Sequence, residues 1–106
     1  RDALEAALLA GLDPEADPPR TVAGAGELLV MPSTAARMPV VKVVTVGGEP
    51  RVQGVCVAFD PSSLAPVAVL DGVAVTNVRT SAVSALAVRH LAAEDARRLL
   101  VFGRGP

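Results

Sequence analysis

The stretch Met38–Phe59, "MPVVKVVTVGGEPRVQGVCVAF", decides the fold. It contains two apolar runs, Val40–Val46 and Val52–Phe59, separated by "GGEPR", Gly47–Arg51. Valine-rich runs of this length, bounded by glycine and proline, are strand signals, and a short Gly-rich gap between two of them is a hairpin. Both alternating faces are apolar, which predicts a sheet covered on both sides, by a helix on one and a partner subunit on the other. Within the first run stands Lys42, the chain's only lysine.

Turn signals divide the rest of the chain. Upstream, Leu4, Leu8 and Leu12 sit at helical spacing among good helix formers, predicting a short amphipathic helix over Asp2–Leu12. Pro14, Pro18 and Pro19 make the next segment a loop. Arg20–Ala23 and Glu27–Met31 are short strand candidates, the second broken by Pro32. Downstream, "DPSS" is a turn, Pro66–Leu70 a further strand, and Thr76 the expected N-cap of a helix running to about Ala93. Arg97–Phe102 reads as a last strand before Gly103-Arg104-Gly105. Consecutive strands with short turns predict an antiparallel meander. The fold class is α+β: a mainly antiparallel sheet with flanking helices.

Composition narrows the function. The 106 residues are 51% apolar, but Phe59 and Phe102 are the only aromatics, so any core is built of small side chains. A net charge of −1 argues against a binder driven by phosphate contacts, and the lack of aromatics removes a base-stacking platform. A single cysteine, Cys56, excludes a disulfide framework or a multi-cysteine zinc site; it reads as a small core residue and fits a reducing, cytoplasmic setting. No apolar run approaches the roughly 18–20 residues needed to span a bilayer. The opening "RDALEAALLAGL" is helix-like rather than leader-like, and both ends read as cuts through a larger protein.

Three cations invite chemistry. Lys42 shares a strand face with Val40, Val44 and Val46. It is either an edge-strand gatekeeper, a lysine that blocks edge-to-edge pairing, or a lysine facing a site that holds an anion, since an unpaired ammonium is costly to desolvate. A lysine of the second kind can also move protons. Arg79 would lie in the first turn of a helix capped by Thr76, where a cation opposes the dipole unless an anion sits between them. Arg20 follows two prolines that stiffen its backbone, as suits an anion clamp or an ordinary surface charge. His90, late in the helix, reads as a partner of the C-terminal dipole. "LLVFGRG" resembles the start of a dinucleotide-binding turn, with Gly103 and Gly105 as its first glycines. No paired carboxylates, metal cluster or Ser/His/Asp triad is recognisable.

In order along the chain, "PPRTV", "LLVMP", "VKVVTV", "VQGVCVAFDP", "AVLDG", "VTNVRTSAVSALAVRHLA" and "LLVFGRG" resemble the ornithine cyclodeaminase/mu-crystallin family over about residues 18–105. The resemblance implies a two-domain, NAD- or NADP-dependent homodimer. Residues 1–96 would be most of the substrate-binding and dimerisation domain, and 97–106 the first strand of a Rossmann domain. It implies that Arg20, Lys42 and Arg79 surround an amino-acid carboxylate, with Lys42 also catalytic, and that Arg51, Gly103 and Gly105 lie at the cofactor. The family usually has a longer loop after the lysine strand, ending in "PTVQG"; here Arg51 takes the threonine position. The implied activity is hydride chemistry at the α-carbon of an amino or imino acid: cyclodeaminase, amino-acid dehydrogenase or ketimine reductase. This piece by itself would be inactive. The alternatives are a non-catalytic small-ligand binder like mu-crystallin and a dimerisation module.

Overall fold

The computed structural model describes residues 1–35 and 37–103. Five strands form one antiparallel sheet in chain order: β1 (Thr21–Ala23), β2 (Leu28–Ser33), β3 (Val40–Val46), β4 (Val52–Phe59) and β5 (Pro66–Asp71). Helix α1 (Asp2–Leu9) precedes them and α2 (Gly72–Leu91) follows. The meander and the limits of β3 and β4 are as the valine runs predict.

Register divides the sheet into two faces. Met31, Lys42, Cys56 and Leu70 pair across β2 to β5 and point to one side. The neighbouring rows, Val30–Val43–Val55 and Pro32–Val41–Val57–Val69, point to the other. Helix α2 packs on the first side, against β3, β4 and β5. The buried apolar residues, Val44, Cys56, Ala58 and Leu86, lie between this face and α2. No element of the described chain covers the valine rows.

The helix begins earlier than expected. Asp71, not Thr76, is the N-cap: its Oδ1 accepts from Val73 N at 2.8 Å and Ala74 N at 3.0 Å. Gly72 permits this start. A Cβ there would lie 2.7 Å from the carbonyl carbon of Gly54 and 2.8 Å from Val55 N, so the helix rests directly on the β4 backbone. Gly54 is as confined, since its Cβ would meet Val43 O at 2.5 Å. At the other end Arg89 and His90 occupy the last turn, where cations suit the dipole. They also hold α1: Glu5 accepts from Arg89 Nη1 at 2.8 Å and pairs with His90 Nε2 at 2.7 Å.

Three further expectations are corrected. β2 continues through Pro32 to Ser33, because β1 ends its pairing at Val30 and Pro32 needs no N–H on that side. Helix α1 stops at Leu9 rather than Leu12. Arg97–Phe102 forms no strand: none of the described residues pairs with it, and Leu99, Leu100, Val101 and Phe102 are exposed. A strand is a property of a pair, and an apolar run supplies only half of one. The expected Rossmann strand is therefore not formed among the described residues.

Candidate functional site

An open cavity of about 730 Å³ lies on the helix-covered face. Its floor is sheet, with Met31 on β2, Val40 and Lys42 on β3, and Cys56 on β4. Val75, Arg79, Val83 and Leu86 of α2 form one wall, and Leu4 and Leu8 of α1 another. Arg20 enters from the loop before β1. The three cations singled out from the sequence therefore reach one cavity from three separate elements.

Topology removes the gatekeeper reading of Lys42. β3 is the central strand, paired on both sides, so Lys42 protects no edge. The lysine is half-buried, and its Nζ donates to Thr76 Oγ1 at 3.2 Å. Burial lowers its pKa below the usual lysine value of 10.5; the nearby Arg79 and, less strongly, Arg20 lower it further, while Cys56 opposes them. Among the described residues none of Arg20, Lys42 and Arg79 has an ion-pair partner. The acidic side chain in the cavity lining is Asp17, and it is engaged elsewhere. Ser33, and then the Thr34 N–H that donates to its Oδ1 at 3.0 Å, hold its carboxyl below the usual carboxylate range. That contact ties the Pro18-Pro19-Arg20 loop to the end of β2.

Arg79 reaches the cavity for a different reason from the one expected. It is the eighth residue of α2, about 10 Å along the axis from the first. The dipole conflict argued from a Thr76 cap does not exist. What brings Arg79 here is helical spacing: Thr76, Arg79 and Val83 follow at intervals that share one helix face.

Arg51 does not join the three. It lies in the β3–β4 turn, where Gly47 N donates to its carbonyl at 2.8 Å. There it lines a second cavity with Glu49, Pro50, Asp71 and Val73. Val46, the last residue of β3, is already roughly 13 Å along the strand from Lys42. Gly103 is exposed and has φ +74°, a left-handed conformation open to glycine. Gly105 lies outside the described residues. His90 is outside the cavity lining and bonded to Glu5, and Cys56 is buried as expected but also lines the cavity beside Lys42. Sequence reasoning missed Thr76 as a partner of Lys42. The available signal was a hydroxyl inside a helix, three residues before an arginine.

Among the described residues no His, Cys, Asp and Glu group could hold a metal ion, and no helix is long and apolar enough to cross a membrane.

The chain belongs to the ornithine cyclodeaminase/mu-crystallin family, whose model matches residues 11–106. It is 35% identical over 85 residues to a Delta(1)-pyrroline-2-carboxylate reductase of Bacillus cereus, covering 73% of this chain and 26% of that protein. It is likewise 35% identical over 88 residues to Delta(1)-pyrroline-2-carboxylate reductase 2 of Burkholderia ambifaria, covering 77% and 28%. A 55-residue stretch is 36% identical to N-((2S)-2-amino-2-carboxyethyl)-L-glutamate dehydrogenase of Staphylococcus aureus, covering 52% and 16%. The chain thus spans about a quarter of the length of the reductases it matches. Helix α1, whose leucines line the cavity, precedes the matched stretch.

Proposed function

We propose that the cavity is the carboxylate-binding half of an oxidoreductase site acting on a small cyclic imino acid, in a protein that uses NAD or NADP. The observation that carries this reading is the meeting of Arg20, Lys42 and Arg79 in one cavity with no paired carboxylate among the described residues. Bringing together three cations is unfavourable unless an anion completes the set, and guanidinium groups suit a planar carboxylate. The other walls are apolar, from Leu4, Leu8, Val75, Val83 and Leu86. Asp17 is the acidic residue of the lining, and its carboxylate is taken up by Ser33 and Thr34. A second ammonium on the substrate, as in ornithine, would meet no free carboxylate among these residues. A ring with one carboxylate and an uncharged body fits better, which favours a reductase over a cyclodeaminase and agrees with the names of the relatives.

Arg51 and Gly103 suit the cofactor in part: an exposed guanidinium beside a cavity can take a phosphate, and a left-handed glycine allows a tight turn. When bound, the nicotinamide supplies the hydride. The residues of this chain do the rest. Arg20 and Arg79 hold the carboxylate and orient the ring. Lys42, its ammonium made more acidic by burial and by Arg79, delivers the proton that the imine nitrogen needs as hydride reaches the α-carbon. The uncovered valine rows form the surface on which a second copy seats, giving a homodimer through the sheet.

The test is reduction of Δ1-pyrroline-2-carboxylate by the full-length protein, followed by loss of reduced nicotinamide. Turnover that Lys42→Met abolishes supports the reading. Binding of small carboxylates with no turnover would favour the mu-crystallin-like alternative instead.

A further inference from the structure

Among the described residues Lys42 has no carboxylate to hold it, yet its amine is tied at one point. Thr76 Oγ1 lies 3.2 Å from Nζ and 2.7 Å from the carbonyl oxygen of Gly72, one helical turn earlier. The hydroxyl has one proton, and the carbonyl can only accept, so that proton goes to Gly72. Toward Lys42 the Thr76 oxygen is therefore an acceptor. The chain of donors runs from Lys42 Nζ–H to Thr76 Oγ1–H to Gly72 O. Its far end is closely packed, because Gly72 rests on the backbone of Gly54 and Val55 and stands next to the Asp71 cap.

We propose that Thr76 is a positioning residue that fixes the Lys42 amine toward the substrate; this rests on the carboxylate-site reading above. An ammonium gives one N–H to Thr76 and keeps two for the cavity. After it yields a proton, the neutral amine still donates to Thr76, so its lone pair faces the cavity rather than the helix. The same anchor thus serves both protonation states without the strong preference for the charged form that a carboxylate partner would impose. A β-branched hydroxyl suits the task, since its χ1 is restricted in a helix and the bond to the carbonyl four residues back selects the rotamer.

The experiment compares Thr76→Val, Thr76→Ser and Lys42→Met in the full-length protein, measuring Δ1-pyrroline-2-carboxylate reduction across pH. Thr76→Val keeps the shape and removes the acceptor. It should lower kcat by about tenfold with a smaller change in KM, the loss of one hydrogen bond to a charged group. The pH limb that depends on the Lys42 proton should move to lower pH, because the ammonium has lost an acceptor. Thr76→Ser should restore both kcat and the limb. If Thr76→Val misfolds, Thr76→Ala carries the same comparison. An unchanged limb and unchanged kcat in Thr76→Val, with Lys42→Met inactive, overturns the role of Thr76 and leaves the carboxylate site standing. Full activity of Lys42→Met overturns both.

Discussion

The two faces of the sheet are built from alternate residues of the same strands, yet they carry opposite problems. The row Met31–Lys42–Cys56–Leu70 sits under α2 and contains a charge that the described residues do not neutralise. The rows beside it, Val30–Val43–Val55 and Pro32–Val41–Val57–Val69, are apolar and have nothing over them among the described residues. Val55 is 45% exposed and Val69 is 70% exposed. Among the described residues, one face carries a cation with no ion-pair partner and the other an uncovered apolar surface. Because side chains alternate along a strand, one set of strands builds two chemically different surfaces, one carrying a cation under a helix and one apolar and open.

The largest effect should come from breaking the charged face. Lys42→Met is expected to lower kcat for Δ1-pyrroline-2-carboxylate at least about a hundredfold, the range of a lost acid–base group. Its melting temperature should not fall, because a half-buried ammonium with no carboxylate partner among the described residues is replaced by an apolar chain of similar length. Loss of activity together with loss of fold would make Lys42 a structural residue and dissolve the contrast between the faces. Breaking the apolar face should do the reverse. Val43→Asp puts a charge in the centre of the valine rows and should weaken self-association about a hundredfold, as a buried uncompensated charge does. Sedimentation at several concentrations reads this directly. A wild-type protein that remains monomeric throughout would sink the assignment of a second copy to that face.

A third variant acts on what holds the charged face together. Gly72→Ala pushes a methyl into the backbone of Gly54 and Val55, within 2.9 Å of three atoms. Overpacking of this kind costs about 1–3 kcal/mol. Because Gly72 also anchors Thr76, activity should fall more than the change in stability explains, and urea titration beside kinetics separates the two.

The faces were legible in the sequence to different depths. Valine alternation between glycine-rich turns predicted β3 and β4 with their limits, because both signals are local. The central place of Lys42 follows from the expected meander, which runs the five strands in chain order, but the gatekeeper alternative was weighed on the strand pattern alone. The start of α2 was misread for a related reason. Asp71-Gly72 resembles a turn, and only the closeness of β4 shows why a glycine opens the helix there. Arg79 was singled out on a dipole argument that the true cap removes, although the residue does line the cavity. Arg51 was expected at the cofactor, apart from the three cations, and the hairpin places it on a second cavity. Thr76 was noticed and given the wrong task, as a cap rather than as the acceptor for Lys42.

A smaller effect should come from the clamp on α1. Glu5 joins Arg89 and His90, and both of those are more than half exposed at the side chain. Glu5→Gln should therefore cost no more than about 1 kcal/mol. Its signature is local: faster amide exchange over Asp2–Leu9 with the sheet unchanged. Substrate affinity should weaken, because Leu4 and Leu8 form a wall of the cavity. Equal exchange of α1 in wild type and Glu5→Gln would show that the clamp does not shape the charged face.

The smallest effect distinguishes the two faces by titration. The pKa of Lys42 is lowered by burial first and by Arg79 next, so folding disfavours its ammonium form. Between the lowered folded value and the ordinary value near 10.5, the unfolded chain binds more protons at this group than the folded chain does. Stability contributed by Lys42 therefore rises with pH through that window, and the penalty is fully present below it. The group is only half-buried, so solvent screens much of the effect. In urea titrations, the alkaline gain should be larger in wild type than in Lys42→Met. The valine face has nothing to titrate there, so Val43→Ala should keep the wild-type slope. If Lys42→Met kept that slope as well, the unneutralised charge would have no energetic weight, and the case for an anion over Lys42 would lose its physical basis.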